Sequence, residues 1–158
     1  MLTLPFADSS FDGVFEVGVV EHFATEDPFN GHEVDAATIV HALIEMRRVL
    51  RPGGKAAFIQ PSRHSVAPLQ KRLWQMVGQW DMGFQQDFGI NPFLQLVELA
   101  GFRERKIAVM QAPDDFPLVV RWGDQALMTY YEATGQDRKA DFTGALFAVV
   151  ATNPDEGY

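Results

Sequence analysis

LPFADSSFDGVFEVGVVEHF, Leu4 to Phe23, is the stretch whose reading decides the fold. Asp8-Ser9-Ser10 has turn chemistry, because such short polar side chains bond their own backbone. From Phe11 to Val20 the chain is mostly apolar on both alternating faces after Asp12. A strand covered on both sides, as in a parallel sheet, reads this way. Two polar residues, Glu21 and His22, gather at its far end.

The segments that follow predict what this strand pairs with. Ala24 to Asp35 reads as a polar loop. Ile39, Leu43, Met46 and Leu50 then fall at helical spacing, with Val40 and Ile44 beside them, which predicts an amphipathic helix. Arg47, Arg48 and Arg51 sit in its last turn, where cations complement the negative end of the helix dipole, and Pro52-Gly53-Gly54 stops it. Lys55 to Gln60 reads as a second strand ended by Pro61, so strand, helix and strand make a parallel crossover unit. Behind Pro68, the positions Leu69, Leu73, Met76, Val77 and Trp80 predict a second helix with a wide apolar face, and Trp74, Phe84 and Phe88 add aromatic side chains to that region. Asn91-Pro92 reads as a helix start with asparagine as the cap, and Gly101 as its stop. Phe102 to Met110 and Ala145 to Thr152 read as strands, and Gln111 to Gly144 as an insertion with a helix between Asp124 and Gly135.

A chain of 158 residues with 47% hydrophobic content is long enough for one core. Its 21 acidic and 13 basic side chains give a net charge of -8, which predicts neither a nucleic-acid nor an anionic-membrane partner. Cysteine is absent, so the chain has no disulfide and no thiolate zinc site, a composition that fits a cytoplasmic protein. No run approaches the roughly 18 apolar residues of a membrane-spanning helix. His32, Glu33, Asp35 and His41 lack a recognised ligand spacing such as HExxH, and a solvated loop is expected there rather than a metal. Asp114-Asp115 reads as a turn.

Three phrases carry a resemblance. LPFADSSFDGVF is similar to the approach to the fourth strand of class I S-adenosylmethionine-dependent methyltransferases, GVVEHF to the loop after that strand, and EMRRVLRPGGKAAF to the helix and turn before the fifth. NPFLQLVELAGF further resembles the family's last helix before its closing antiparallel pair. The resemblance implies an α/β fold: a partial Rossmann-like sheet holding strands four to seven, the last antiparallel, with helices on its faces. It places residues 1–152 in the C-terminal part of a methyltransferase domain and leaves 153–158 as a frayed tail. The glycine-rich turn of the family, GxGxG, does not occur in the chain. In relatives the LPF phrase follows an Asp at a short interval, and Met1 would occupy the place next to that Asp, so Met1 is expected to be an internal methionine of a longer protein.

The same resemblance implies a cofactor, S-adenosylmethionine, held by Met1 and Leu2 at its adenine and by Glu16, Val17 and Gly18 at its methionine end. Glu16, a charge inside an apolar strand, lies either at the ligand crevice or at a surface left by truncation. Glu21 and His22 read either as an acid-base pair over a methyl acceptor or as a capped loop. Phe23, Trp74 and Trp80 are the candidate acceptor-binding side chains, with a core role as the other reading of the tryptophans. Two functions follow: methyl transfer to a small molecule, or a non-catalytic, truncated methyltransferase-like remnant serving as an interaction module. With the family's first strand missing, Phe11 to Val20 is expected to be an exposed edge open to homodimerisation.

Overall fold

The computed structural model describes residues 3–27, 31–63, 65, 67–80, 83–110 and 146–154. The opening stretch forms β1 (Phe11–Val17), and a 3-10 turn (Val20–His22) follows it. A hairpin comes next, β2 (Ala24–Asp27) and β3 (Gly31–Val34), where a plain loop was expected. The pairing runs Ala24 to Val34 and Asp27 to Gly31, carried by backbone rather than by any apolar alternation that a sequence would display. Asp35 caps α1 (Ala36–Val49) by accepting from the Thr38 N–H at 2.9 Å. The Thr38 hydroxyl also donates to Asp35, and this bond, with the N–H bond beside it, holds the carboxyl below the usual carboxylate range.

β4 (Leu50–Pro61) starts directly at the end of α1, five residues before the expected Lys55. Phe11 pairs with Leu50 and Gly13 with Lys55, so Arg51-Pro52-Gly53-Gly54 is accommodated as an irregularity within the strand. Gly53 turns the chain there with φ +75, a conformation open to glycine at little cost. β1 and β4 run parallel, as the crossover unit predicts. Further on lie α2 (Ala67–Met76), α3 (Ile90–Leu99), β5 (Arg103–Met110) and β6 (Leu146–Thr152). The sheet order is β1-β4-β6-β5, with β6 antiparallel to both of its neighbours.

The core lies between one face of this sheet and helices α1 and α3. Ile39 and Leu43 from α1 and Phe93 and Val97 from α3 close over Phe58, Phe147 and Val149 of β4 and β6. Phe58 packs edge-on against Phe93 and Phe102 at centroid separations of 6.1 and 5.4 Å, a geometry that aromatic quadrupoles favour. The opposite face differs from expectation: Phe15 is 76% exposed and Val17 54%, so β1 is covered on one side only among the described residues. Both helices that reach the core pack on the same face, and alternation places Phe15 and Val17 on the other.

α3 begins at Ile90 behind Gly89, not behind Asn91. Burial of Ile90 and Phe93 draws the first turn earlier, and Pro92 falls where a helix still lacks backbone acceptors for its N–H groups. Gly101 ends the helix as expected, at φ +90. Asn153, read as the head of a frayed tail, is instead buried and anchored: its backbone exchanges bonds with Gly53 and Gly54, and its amide donates to Leu50 O at 2.9 Å. The helix expected between Asp124 and Gly135, and Asp114-Asp115, lie outside the described residues, as do Met1, Leu2 and residues 155–158.

Two of the resembling phrases meet in space. The Arg48 guanidinium donates to Leu4 O, Phe6 O and Asp8, and to Glu45 beside it, while Ser9 and Ser10 N–H groups bond the last carbonyls of α1. LPFADSS is therefore fastened to EMRRV by Arg48.

Candidate functional site at the carboxyl end of the parallel strands

β1 ends in a polar knot. Glu16 is 4% exposed; the Val19 N–H donates to its Oε2 at 3.2 Å, and the fully buried Gln60 amide of β4 donates to its Oε1. Burial outweighs these bonds and pushes the Glu16 carboxyl up to about 7. The neighbouring negative charge of Glu21 acts in the same direction. Gly18 carries the chain out of the strand at φ +63, its N–H bonded to Ile59 O at 3.1 Å. A Cβ at that position would stand 2.9 Å from Glu21 Oε1. The turn thus requires a residue without a side chain, for conformation and for space.

Glu21 is buried as deeply as Glu16, and its Oε2 has no hydrogen-bond partner among the described residues. Burial raises its pKa above the ordinary carboxylate value. His22 stands beside it, with Nε2 3.8 Å from Glu21 Oε1, beyond hydrogen-bond distance. The other ring nitrogen, Nδ1, is 2.6 Å from the Phe84 carbonyl, which can only accept. Nδ1 therefore holds a proton, and in the neutral form of the ring the lone pair lies on Nε2.

The segment from Phe84 to Phe88 straps this corner, and sequence reasoning missed its part. Gln86 N–H bonds Glu21 O at 2.8 Å, Phe88 N–H bonds Pro61 O at 2.9 Å, and Lys71 of α2 pairs with Asp87 and with Gln85 O. These are backbone contacts and one half-buried ion pair between distant positions, which no local spacing announces.

The expected site residues separate accordingly. Glu16, Val17, Gly18, Glu21 and His22 converge at one end of the sheet. Phe23 is half-buried against the core. Trp74 is exposed on α2, and half-buried Trp80 donates its indole N–H to Gly83 O at 2.7 Å. Leu69, Leu73, Met76 and Val77 are exposed as well, so the apolar face expected to lie in the core does not lie there.

A family described as "Methyltransferase domain" matches residues 1–58. A SAM-dependent methyltransferase of Thermotoga maritima, titled a possible histamine N-methyltransferase, superposes over 96% of this chain and 59% of its own, with a TM-score of 0.59 and 20% identity. The fold is that of the class I S-adenosylmethionine-dependent methyltransferases. Residues 1–58 of this chain carry the match to that family, and the cofactor of SAM-dependent methyltransferases is S-adenosylmethionine. A putative methyltransferase seen in complex with the Haloferax volcanii Trm112 methyltransferase activator matches over 96% of this chain and 57% of its own, at a TM-score of 0.50 and 19% identity.

Among curated proteins, a probable tRNA methyltransferase 9B of Mus musculus is 39% identical over 54 residues, which is 34% of this chain and 10% of that protein. The protein of that name in Homo sapiens is 37% identical over 68 residues, 40% of this chain and 13% of its own length. These relatives correct the expected partners, a small molecule and a second copy of the chain with nucleic acid excluded. They are named for a nucleic-acid substrate, and one structural neighbour is seen with a protein activator. Net charge is no ground for that exclusion, because it is a sum over the chain, whereas a polyanion responds to the local field of one surface. No described helix is long and apolar enough to cross a membrane.

The residues present suit one side of S-adenosylmethionine. Two buried carboxylates and an open glycine backbone at the end of β1 match a group that carries a sulfonium and an ammonium.

Proposed function

We propose that this chain forms one wall of a site for methyl transfer from S-adenosylmethionine, and that the acceptor is a nucleic acid of the kind for which its curated relatives are named. The observation that carries the reading is Gly18, held in the left-handed conformation between buried Glu16 and Glu21 at the carboxyl end of a parallel strand. Ligands of open α/β sheets bind at such strand ends. S-adenosylmethionine, when bound, supplies a methyl group made electrophilic by its sulfonium. Glu16 and the Val17–Gly18 backbone would face its cationic methionine end, with Met1 and Leu2 toward its adenine.

His22 Nε2 would receive the proton that the acceptor nitrogen or oxygen loses as it gains the methyl group, while the pair of the broken C–S bond stays on sulfur. Glu21 would steady the resulting imidazolium. Phe23, Trp74 and Trp80 remain the candidate side chains for the acceptor.

Titration calorimetry with S-adenosylhomocysteine tests this reading. Micromolar binding by the full chain is expected, weakened about tenfold or more by Gly18→Ala, which displaces Glu21. Absence of binding heat would leave the chain a non-catalytic, methyltransferase-like module.

A further inference from the structure

The far end of the sheet carries an opposite electrostatic character. β5 is the outer strand beyond β6, and Arg103 to Ala108 are exposed along it. Arg103 pairs with Thr152 and Lys106 with Val150, so one extra residue is inserted on β5 between them. Glu104, within that bulge, adopts φ +48. A bulge breaks the alternation of a strand and re-aims its side chains.

Two open clefts result. One, of about 410 Å³, is lined by Arg103 and Lys55 together with Asn153 and Pro154. The other, of about 500 Å³, is lined by Arg105 and Lys106. Both share Lys55, Glu104 and Thr152, so they adjoin as one groove with four cations along it.

Glu104 lies 3.6 Å from Lys55, and Glu98 holds Arg105 at 2.9 Å. Among the described residues the Arg103 side chain donates only to the Phe102 carbonyl, and the Lys106 side chain has no hydrogen bond or ion pair. The groove is thus left with a surplus of positive charge on a chain whose total is -8. Edge strands often carry cations simply to discourage pairing with other sheets. That role does not account for Lys55, which stands on the interior strand β4 and faces the same groove across β6.

We propose that this groove is a docking site for the phosphodiester backbone of RNA. Its two compartments suit successive phosphates rather than a single one. Lys55 and Gln60 are five residues apart on β4, which puts the groove about 17 Å along the strand from the polar knot. An RNA held there is positioned by its backbone while another part of it reaches the methyl-transfer end, a division of labour usual in nucleic-acid recognition. The inference rests on the proposed nucleic-acid acceptor.

Fluorescence anisotropy of the full chain with labelled unfractionated tRNA tests it, with salt raised from about 50 to 200 mM. Binding should weaken steeply with salt. The double variant Arg103→Gln/Lys106→Gln should weaken it at least tenfold and lower the log–log salt slope by about 1.5. Arg72→Gln, which removes an exposed cation on α2, should leave it unchanged. Equal losses in the two variants, no binding at low salt, displacement of tRNA by an equal phosphate concentration of inorganic phosphate, or tighter binding of labelled polyglutamate would each overturn the proposal. The last would point to an acidic protein instead. S-adenosylhomocysteine calorimetry on the same variants separates the two readings. Heat retained with tRNA binding absent defeats the groove alone, and tRNA binding without heat defeats methyl transfer alone.

Discussion

Glu16 gathers the energetic conflict of this protein into one side chain. It titrates near 7 in the fold and near 4.5 when unfolded, so between those values the folded chain holds the proton that the unfolded chain has released. Stability is therefore highest below the unfolded value and is lost as pH rises through the folded one. The difference corresponds to about 3 kcal/mol. Glu21, raised by the same burial, adds to the slope with the same sign. Glu45 and Glu98, held low by Arg48 and Arg105, act oppositely but at lower pH. Between pH 5 and 8, thermal melts should show a falling Tm, and Glu16→Gln should flatten much of that fall and melt higher than the parent at pH 8. A parent Tm independent of pH over that range would mean that Glu16 ionises freely.

The elements differ in how well their sequence announced them. α1, β4 and β6 carry apolar periodicities that the core uses directly, through Ile39 and Leu43, Phe58, and Phe147 and Val149. α2 carries an equally regular period, yet Leu73 is 53% exposed, whereas Leu43 is fully buried. Periodicity tells that a helix has an apolar face but not what stands opposite to it. Leu73→Lys should accordingly change unfolding free energy by no more than about 0.5 kcal/mol. Leu43→Ala should cost about 2–5 kcal/mol, because it leaves a cavity. Denaturant titration of both variants decides; a large loss for Leu73→Lys would show that its face is covered. The β2–β3 hairpin and the start of α3 at Ile90 were illegible for a related reason. The first rests on backbone pairing between weakly patterned segments, the second on the core's demand for Ile90.

At the scale of the molecule, remote segments close the fold. The Asn153 amide donates to the carbonyls of Arg47, Leu50 and Arg51, across more than 100 residues, and so satisfies the end of α1 and the start of β4 together. Asn153→Ala leaves buried carbonyls unpaired and should cost about 1–3 kcal/mol. Hydrogen exchange should quicken at Gly53, whose N–H is bonded to the Asn153 carbonyl, with α3 unaffected. Unchanged protection there would assign the corner's stability to packing instead. The sequence alone determined the α/β class, the parallel pair and the residues at its carboxyl end, because strand and helix periods, turn chemistry and three phrases in order are local properties. Tertiary structure alone decided that Glu16 meets Gln60, that Phe84 orients His22 and that four cations face one groove on an acidic chain. Those relations join positions from different strands and loops, and their burial and fields exist only once the chain has brought them together.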